Sequence, residues 1–254
     1  MLGLLDVLAR RPDSYQGYHL WAVRDDGRVL GAAMQTPPYG LALAEPVDDA
    51  SLAPLAAAIV DAGVRLPGVV GGVAEANTFA DAWVALVGGA AETVTRQGIY
   101  ELTAVRDRGH ADGAARVATA GDLDLIADWN DAFMAEAVPE FRGDRDSLAR
   151  RIRSRVEEGD YWLWETDGRP VAMTGASPAP PDGVRVGPVY TVPDARGHGY
   201  GTALVAHVSG AALERGSRAC YLHTDLANAT SNAMYQRIGY RRVCDAVDLR
   251  FTPG

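Results

Sequence analysis

Lysine is absent from this chain: all 24 basic residues are arginine, set against 33 aspartates and glutamates, for a formal charge of −9. That balance excludes a nucleic-acid partner, because no basic stripe exists to neutralise phosphates. It also rules out a Walker-type loop, which needs Lys followed by Ser or Thr after its glycines. Cysteine is scarce. Cys220 and Cys244 form no disulfide framework and no metal spacing, and both fall on predicted strands, so they are expected as reduced core residues of a cytoplasmic protein. Long apolar runs are missing as well. No stretch approaches the roughly eighteen residues that span a bilayer, so no membrane partner is expected. Residues 1–8 are short and broken by Asp6, unlike a secretory leader. The abundance of Ala, Gly and Arg reads as GC-rich coding, and the acidity leans toward a cationic or amine ligand. A length of 254 residues with 48% hydrophobic content is enough to bury a sizeable core and exceeds the usual single domain.

What is present is concentrated in one stretch. Residues 189–202 read Val-Tyr-Thr-Val-Pro-Asp-Ala-Arg-Gly-His-Gly-Tyr-Gly-Thr. A short apolar strand runs into a glycine-rich turn, and a helix follows, with Leu204, Val205, Val208, Ala211 and Leu213 at a period near 3.6. The three glycines permit close approach of a ligand, and the first N–H groups of the helix are unpaired donors at the positive end of its dipole. Such a turn suits a phosphate or pyrophosphate. A dinucleotide site is one reading, since the strand 221–224 ends at Asp225, where a ribose-binding acid would fall. The spacing argues against it: the glycines run G-x-G-x-G rather than G-x-G-x-x-G, and Pro193 to Arg196 intervene between strand and first glycine. The remaining reading is R-x-x-G-x-G, carried by Arg196, Gly199 and Gly201.

The next segment decides between them. Residues 221–240 hold a strand, Asn228, a short helix carrying Tyr235, and then Gly239-Tyr240, with the glycine where a helix needs a left-handed C-cap. The two motifs together resemble the GNAT superfamily of N-acyltransferases over about residues 113–251, a little over half the chain. The resemblance implies that strands 183–192 and 219–224 splay apart and take the pantetheine arm of acetyl-CoA, the cosubstrate, along main-chain groups of Tyr190, Thr191 and Val192. It implies that Arg196 and the N–H groups of Gly197, His198, Gly199, Tyr200, Gly201 and Thr202 hold the pyrophosphate. Asn228 would bond the pantetheine end, and Tyr235 would protonate the departing thiolate after direct attack by a small-molecule or peptide amine.

Each residue also has a plainer use. The glycines would serve an ordinary turn, His198 a solvated loop, Asn228 a helix cap and Tyr235 a core position. The general base is open: strand 183–192 carries Gly187, Val189 and Thr191 rather than a carboxylate, leaving Glu136, Glu140, Asp225 or a water chain. The acceptor is open too. Residues 127–142 carry Trp129, Asp131, Phe133, Glu136, Glu140 and Phe141, which suit either a cation site or an amphipathic helix with an acidic edge. A non-catalytic CoA-binding regulator on the same scaffold is the rival function, and a nicotinamide-binding oxidoreductase is a more distant one.

The first half of the chain repeats the second. Leu8-Ala9-Arg10-Arg11 recurs as Leu148-Ala149-Arg150-Arg151, a shift of 140. The segment 20–37 recurs at 161–178, with an Asp-Gly hairpin turn in each. Residues 82–88 parallel 233–239, which puts Val84 at the place of Tyr235, and nothing in the first copy resembles R-x-x-G-x-G. Met1 aligns near Phe141, so the first copy lacks counterparts of strand 115–118 and helix 122–137, as a trimmed unit or a late start codon would leave it. The expected organisation is a degenerate unit at 1–105, a linker at 106–112 and a catalytic unit at 113–254. Both units are α+β, each a mixed, mainly antiparallel sheet flanked by helices.

Overall fold

The computed structural model describes Leu5, Leu8, Ala9 and Tyr15 and residues 17–44, 47–137, 145–179 and 181–254. The chain packs as two compact units. The N-terminal unit takes residues 1–99, 225–227 and 244–254; the C-terminal unit takes 100–224 and 228–243. The division falls inside two long strands, β5 (Ala90–Leu102) and β11 (Arg241–Thr252), and not at the expected linker. A strand is hydrogen-bonded along its whole length, so a long one is free to serve different neighbours at its two ends, which composition cannot signal.

In the N-terminal unit the strand order is β1 (His19–Asp25), β2 (Arg28–Gln35), β3 (Leu41–Leu43), β4 (Gly68–Gly72) and the second half of β11. Among the described residues the unit holds helices α1 (Leu52–Asp61) and α2 (Val73–Val87), and Leu5, Leu8 and Ala9 are helical as well. Leu52, Leu55, Ala56 and Ile59 recur at helical spacing and are all buried. They meet Leu41, Val69 and Leu249 from the sheet, with Trp83 stacked between Phe79 and Phe251.

The C-terminal unit orders its strands β10 (Ala219–Asp225), β9 (Gly183–Thr191), β8 (Arg169–Ala179), β7 (Tyr161–Thr166) and β6 (Ala114–Val117). Of these strand pairs among the described residues, β9–β10 is parallel and the others are antiparallel. Among the described residues its helices are α3 (Leu123–Ala137), α4 (Arg145–Glu157), α5 (Tyr200–Glu214) and α6 (Ala229–Ile238). Helices α3 and α4 close a core of Ile126, Trp129, Ile152 and Val156 over Leu163, Met173 and Tyr190. Around α5 and α6 a separate cluster holds Val205, Val186, Leu222, Tyr235, Ile238 and Tyr240. The β6–α3 junction is pinned by a capping box between Thr119 and Asp122. Both Arg116 terminal nitrogens donate to Asp122 at 2.8 Å, and its Nε donates to Glu165 at 2.6 Å.

The two Asp-Gly hairpins share their irregularities. Asp26-Gly27 and Asp167-Gly168 form two-residue turns with both φ positive, the geometry that Asp-Gly favours. The register then slips at Val23/Arg24 in one and at Trp164/Glu165 in the other, 141 residues on.

Residues 106–112, expected as a linker, lie within the C-terminal unit, with Ala111 packed on the cluster of Trp164, Leu204 and Val208, and the Asp112 carbonyl accepting the Trp164 indole N–H at 2.9 Å. Apolar contact, invisible in a polar-looking segment, ties it down. Cys220 is buried as expected, and burial pushes its thiol up to about 11. Cys244 is exposed instead, within a run from Arg241 to Asp245 whose side chains all remain open to solvent.

Candidate functional site

The site begins where two strands stop pairing. Parallel bridges join β9 and β10 at Gly183–Ala219, Val184–Cys220 and Arg185–Tyr221, and among the described residues they end there, although both strands continue. Residues 186–191 therefore keep one edge without a strand. Within β9, Val192 donates its N–H to Val171 and Tyr190 lies opposite Met173, so these two face β8. Alternation then turns the main-chain N–H and C=O groups of Val189 and Thr191 to the open side. Of the three expected main-chain residues, Thr191 qualifies. Val192 does not, since its N–H is taken. Val189, outside the expected set, does; only the observed register reveals it.

At the end of β9 the chain makes a single 3-10 turn, Pro193–Ala195, and enters the glycine stretch. Gly197 and Gly199 hold φ of +82° and +83°, a region open to glycine and costly for other residues. Gly199 is the N-cap of α5, so Tyr200, Gly201 and Thr202 form the first helical turn and their N–H groups lack intrahelical acceptors. No side chain caps this helix, and its first turn holds no acidic residue. Close packing surrounds it: a Cβ on Gly201 would lie 3.1 Å from Thr191 Oγ1, and one on Gly199 would lie 3.1 Å from the His110 carbonyl. A cavity of about 450 Å³ opens beside the turn, lined by residues 109–112, His198 and Tyr200. His198 is exposed, stacks on Tyr200 with 5.7 Å between ring centres, and brings Nδ1 to 3.0 Å from the Arg196 carbonyl.

Arg196 reaches back across the strand end. Its Nε donates to the Thr191 carbonyl at 3.0 Å, and its guanidinium lies 5.7 Å from the centre of the Tyr190 ring. Its Nη2 donates to both Glu136 oxygens, at 2.7 and 2.9 Å, and these hydrogen bonds hold Arg196 above its usual pKa. The Tyr190 ring itself is buried against Trp129.

Past the last bridge, β9 and β10 continue with Val186 and Leu222, and the buried ring of Tyr235 belongs to the same apolar cluster as these two. Tyr235 meets Tyr240 edge-on at 5.9 Å, and burial raises its phenol well above the ordinary value. The phenol is therefore a protonated donor throughout the neutral range. Gly239, at φ +120°, ends α6 with its N–H shared between the Tyr235 and Gln236 carbonyls. Asn228 is the N-cap of α6, and its Oδ1 accepts the Ser231 N–H at 3.0 Å. The plainer use is thus realised at its oxygen, while its amide nitrogen carries the donors.

The base candidates divide. Glu140 lies outside the described residues. Glu136 is engaged with Arg196, and Asp225 accepts the Ala227 N–H at 2.8 Å. His223, beyond the last bridge on β10, keeps an exposed edge, yet desolvation and then the Arg185 charge push its imidazole down to about 4. A base that weak accepts few protons at pH 7. Of the aromatic residues of segment 127–142, Trp129 is in the core and Phe133 packs on it, while Phe141 lies outside the described residues. Among the described residues no group of His, Cys, Asp and Glu could hold a metal, and no helix is long and apolar enough to cross a membrane.

A split parallel pair, a glycine-capped helix start at its mouth and a buried tyrosine behind it lie together in the C-terminal unit. Residues 124–240 match the family model described as Acetyltransferase (GNAT) family. Residues 124–240 are a GNAT acetyltransferase domain. Solved GNAT structures share the fold at low identity. A GCN5-related N-acetyltransferase from Sphaerobacter thermophilus is 17% identical with a TM-score of 0.67, over 98% of this chain and 86% of that one. Another from Kribbella flavida is 19% identical with a TM-score of 0.63, over 99% and 94%. A tandem GNAT protein from the clavulanic acid biosynthesis pathway is 14% identical with a TM-score of 0.56, over 96% and 86%. No curated protein matches the chain. Members of the GNAT family are N-acyltransferases, and the mixed, mostly antiparallel sheet flanked by helices is the GNAT fold.

Proposed function

We infer that the chain transfers an acetyl group from acetyl-CoA to a primary amine by direct attack. The observation that carries this reading is the end of β9–β10 pairing at Arg185–Tyr221, with an uncapped, glycine-led helix start at the mouth of the gap. An extended pantetheine arm can add to the open edge of β9 as a strand would, bonding Val189 and Thr191 main-chain groups. The diphosphate then meets Arg196 and the N–H groups of residues 197–202 at the positive end of α5. Backbone N–H groups on the open edge can polarise the thioester carbonyl, a form of electrostatic stabilisation that needs no reorganisation. The amine nitrogen forms the new C–N bond, the C–S bond breaks, and Tyr235 gives its proton to the leaving sulfur. The proton shed by the amine passes to water, since Glu136 is engaged with Arg196 and Asp225 with the Ala227 N–H, and water returns a proton to Tyr235.

The N-terminal unit, in this reading, binds no CoA and supports the fold, and the functional boundaries stay at 1–105 and 113–254. A CoA-binding regulator is the alternative, and the absence of a carboxylate on the open part of β9 is the observation in its favour. Titration calorimetry with acetyl-CoA, followed by thiol release over an amine library, separates the two. One acetyl-CoA per chain with amine-dependent thiol release is the expected result. Binding without turnover on any amine would favour the regulator, and thermal stabilisation by NAD or NADP alone would overturn the assignment.

A further inference from the structure

Arg196 is asked to do two things with one guanidinium. In the reading above it holds the diphosphate of CoA; in the structure its Nη2 is committed to both oxygens of Glu136, from the last turn of α3. The Nε is separately fixed on Thr191, which leaves the head of the side chain in one place. Glu136 and a diphosphate are both anions, and they would compete for the same outward face of the arginine. Carboxylate and guanidinium are each about half exposed, so the pair is open to exchange rather than locked in the interior.

We propose that Glu136 is an internal anion that occupies the Arg196 seat and must be exchanged for the CoA diphosphate. The inference rests on the acetyl-CoA reading of the site. Its consequence is a positioning role in cofactor binding. The pair keeps Arg196 at the mouth of the gap, and every molecule in which it is closed lowers the apparent affinity for CoA in proportion. On exchange the carboxylate loses its cation and faces two phosphates of like charge, so it moves off the arginine. The device connects occupancy of the diphosphate site to the end of α3, the helix whose Trp129 lies against Tyr190 of the open strand.

The test is CoA affinity by titration calorimetry at low salt in four full-length proteins: wild type, Glu136→Gln, Arg196→Gln and the double variant. Removing the competitor should tighten CoA binding by about three- to tenfold in Glu136→Gln. A purely structural salt bridge predicts the opposite, since its loss would loosen the site. In the Arg196→Gln background the same substitution should change affinity less than about twofold, because no seat is left to compete for. Unchanged or weaker CoA binding by Glu136→Gln would overturn the exchange. So would a gain of equal size in the Arg196→Gln background, which would mean simple repulsion between Glu136 and the phosphates. Failure of all four proteins to bind CoA would bring down the functional reading itself, and the exchange with it.

Discussion

The two units each send a helix between a pair of parallel strands, and the turn that leads into each helix is furnished differently. In the N-terminal unit α1 follows β3 through a short 3-10 turn in which the Asp48 carboxylate accepts the Ala50 N–H at 3.0 Å and Asp49 sits in the first turn. That anion of the chain's own making sits on the 3-10 turn that runs into α1, while α1 itself starts at Ser51 without a side-chain cap. In the C-terminal unit α5 follows β9 behind Gly199, with no side-chain cap and no acidic residue in its first turn. Stability favours the first arrangement, since a cap is worth about 1 kcal/mol. The second leaves its donors for a ligand. The difference teaches that a helix start with neither a side-chain cap nor an acidic residue in or directly before its first turn is a candidate binding feature. The open edge of β9 and the arginine beside it are what turn that feature into a site.

The largest effect that could break this comparison is expected from Gly199→Val. A β-branched residue at φ +83°, with its Cβ 3.1 Å from the His110 carbonyl, cannot keep the turn. CoA affinity should fall by more than about 100-fold while circular dichroism still reports a folded chain; unchanged affinity would place the diphosphate elsewhere. Next comes Tyr235→Phe, which retains the packing against Tyr240 but removes the proton donor. The expected result is unaltered acetyl-CoA affinity and a kcat lower by about 10²-fold or more, read by thiol release. Full activity at neutral pH would remove Tyr235 from the mechanism, and lost affinity alone would recast it as a binding residue.

Smaller effects concern stability. Among the described residues the β6–α3 junction belongs to the C-terminal unit alone, and there Arg116 and Thr119 hold the Asp122 carboxyl well below its ordinary range. A carboxyl depressed in the folded state contributes stability that is present above the unfolded value, near 4, and is lost as pH falls toward the folded one. Asp122→Asn should therefore cost roughly 1–2 kcal/mol at pH 7, allowing for the partly exposed Arg116, and flatten the acid limb of the stability curve. Denaturant titrations at several pH values check this; parallel curves for wild type and variant would refute it. The smallest effect is expected at the helix start of the other unit. Asp48→Ala should cost about 1 kcal/mol and leave CoA binding untouched, and a change in CoA affinity would mean that the N-terminal unit takes part in the site.

Legibility followed the range of the interactions. The glycine turn, the α5 periodicity, the Gly239 cap and the Asp-Gly hairpins were readable because each depends on the conformational preferences of a few adjacent residues. Asn228 was readable as a cap for the same reason, and the structure realises that use at its oxygen. That the main chain of Val189 faces the gap and the Val192 N–H faces β8 was not readable, because the sequence carries side-chain alternation but not which edge of a strand is paired. The segment 106–112 looked like a linker because its contacts are made with residues almost a hundred positions away, among them Leu204 and Val208.

By itself, then, the sequence determined the local apparatus: where the backbone must take positive φ, where helices begin bare or capped, and which faces are apolar. Tertiary structure alone decided that β9 and β10 part after Arg185 and Tyr221, that the last residues of the chain pack with the N-terminal unit, and that Glu136 closes on Arg196. The first set is governed by torsional preference and short-range hydrogen bonding within a few residues. The second depends on which distant partners meet, a choice made by packing the whole chain.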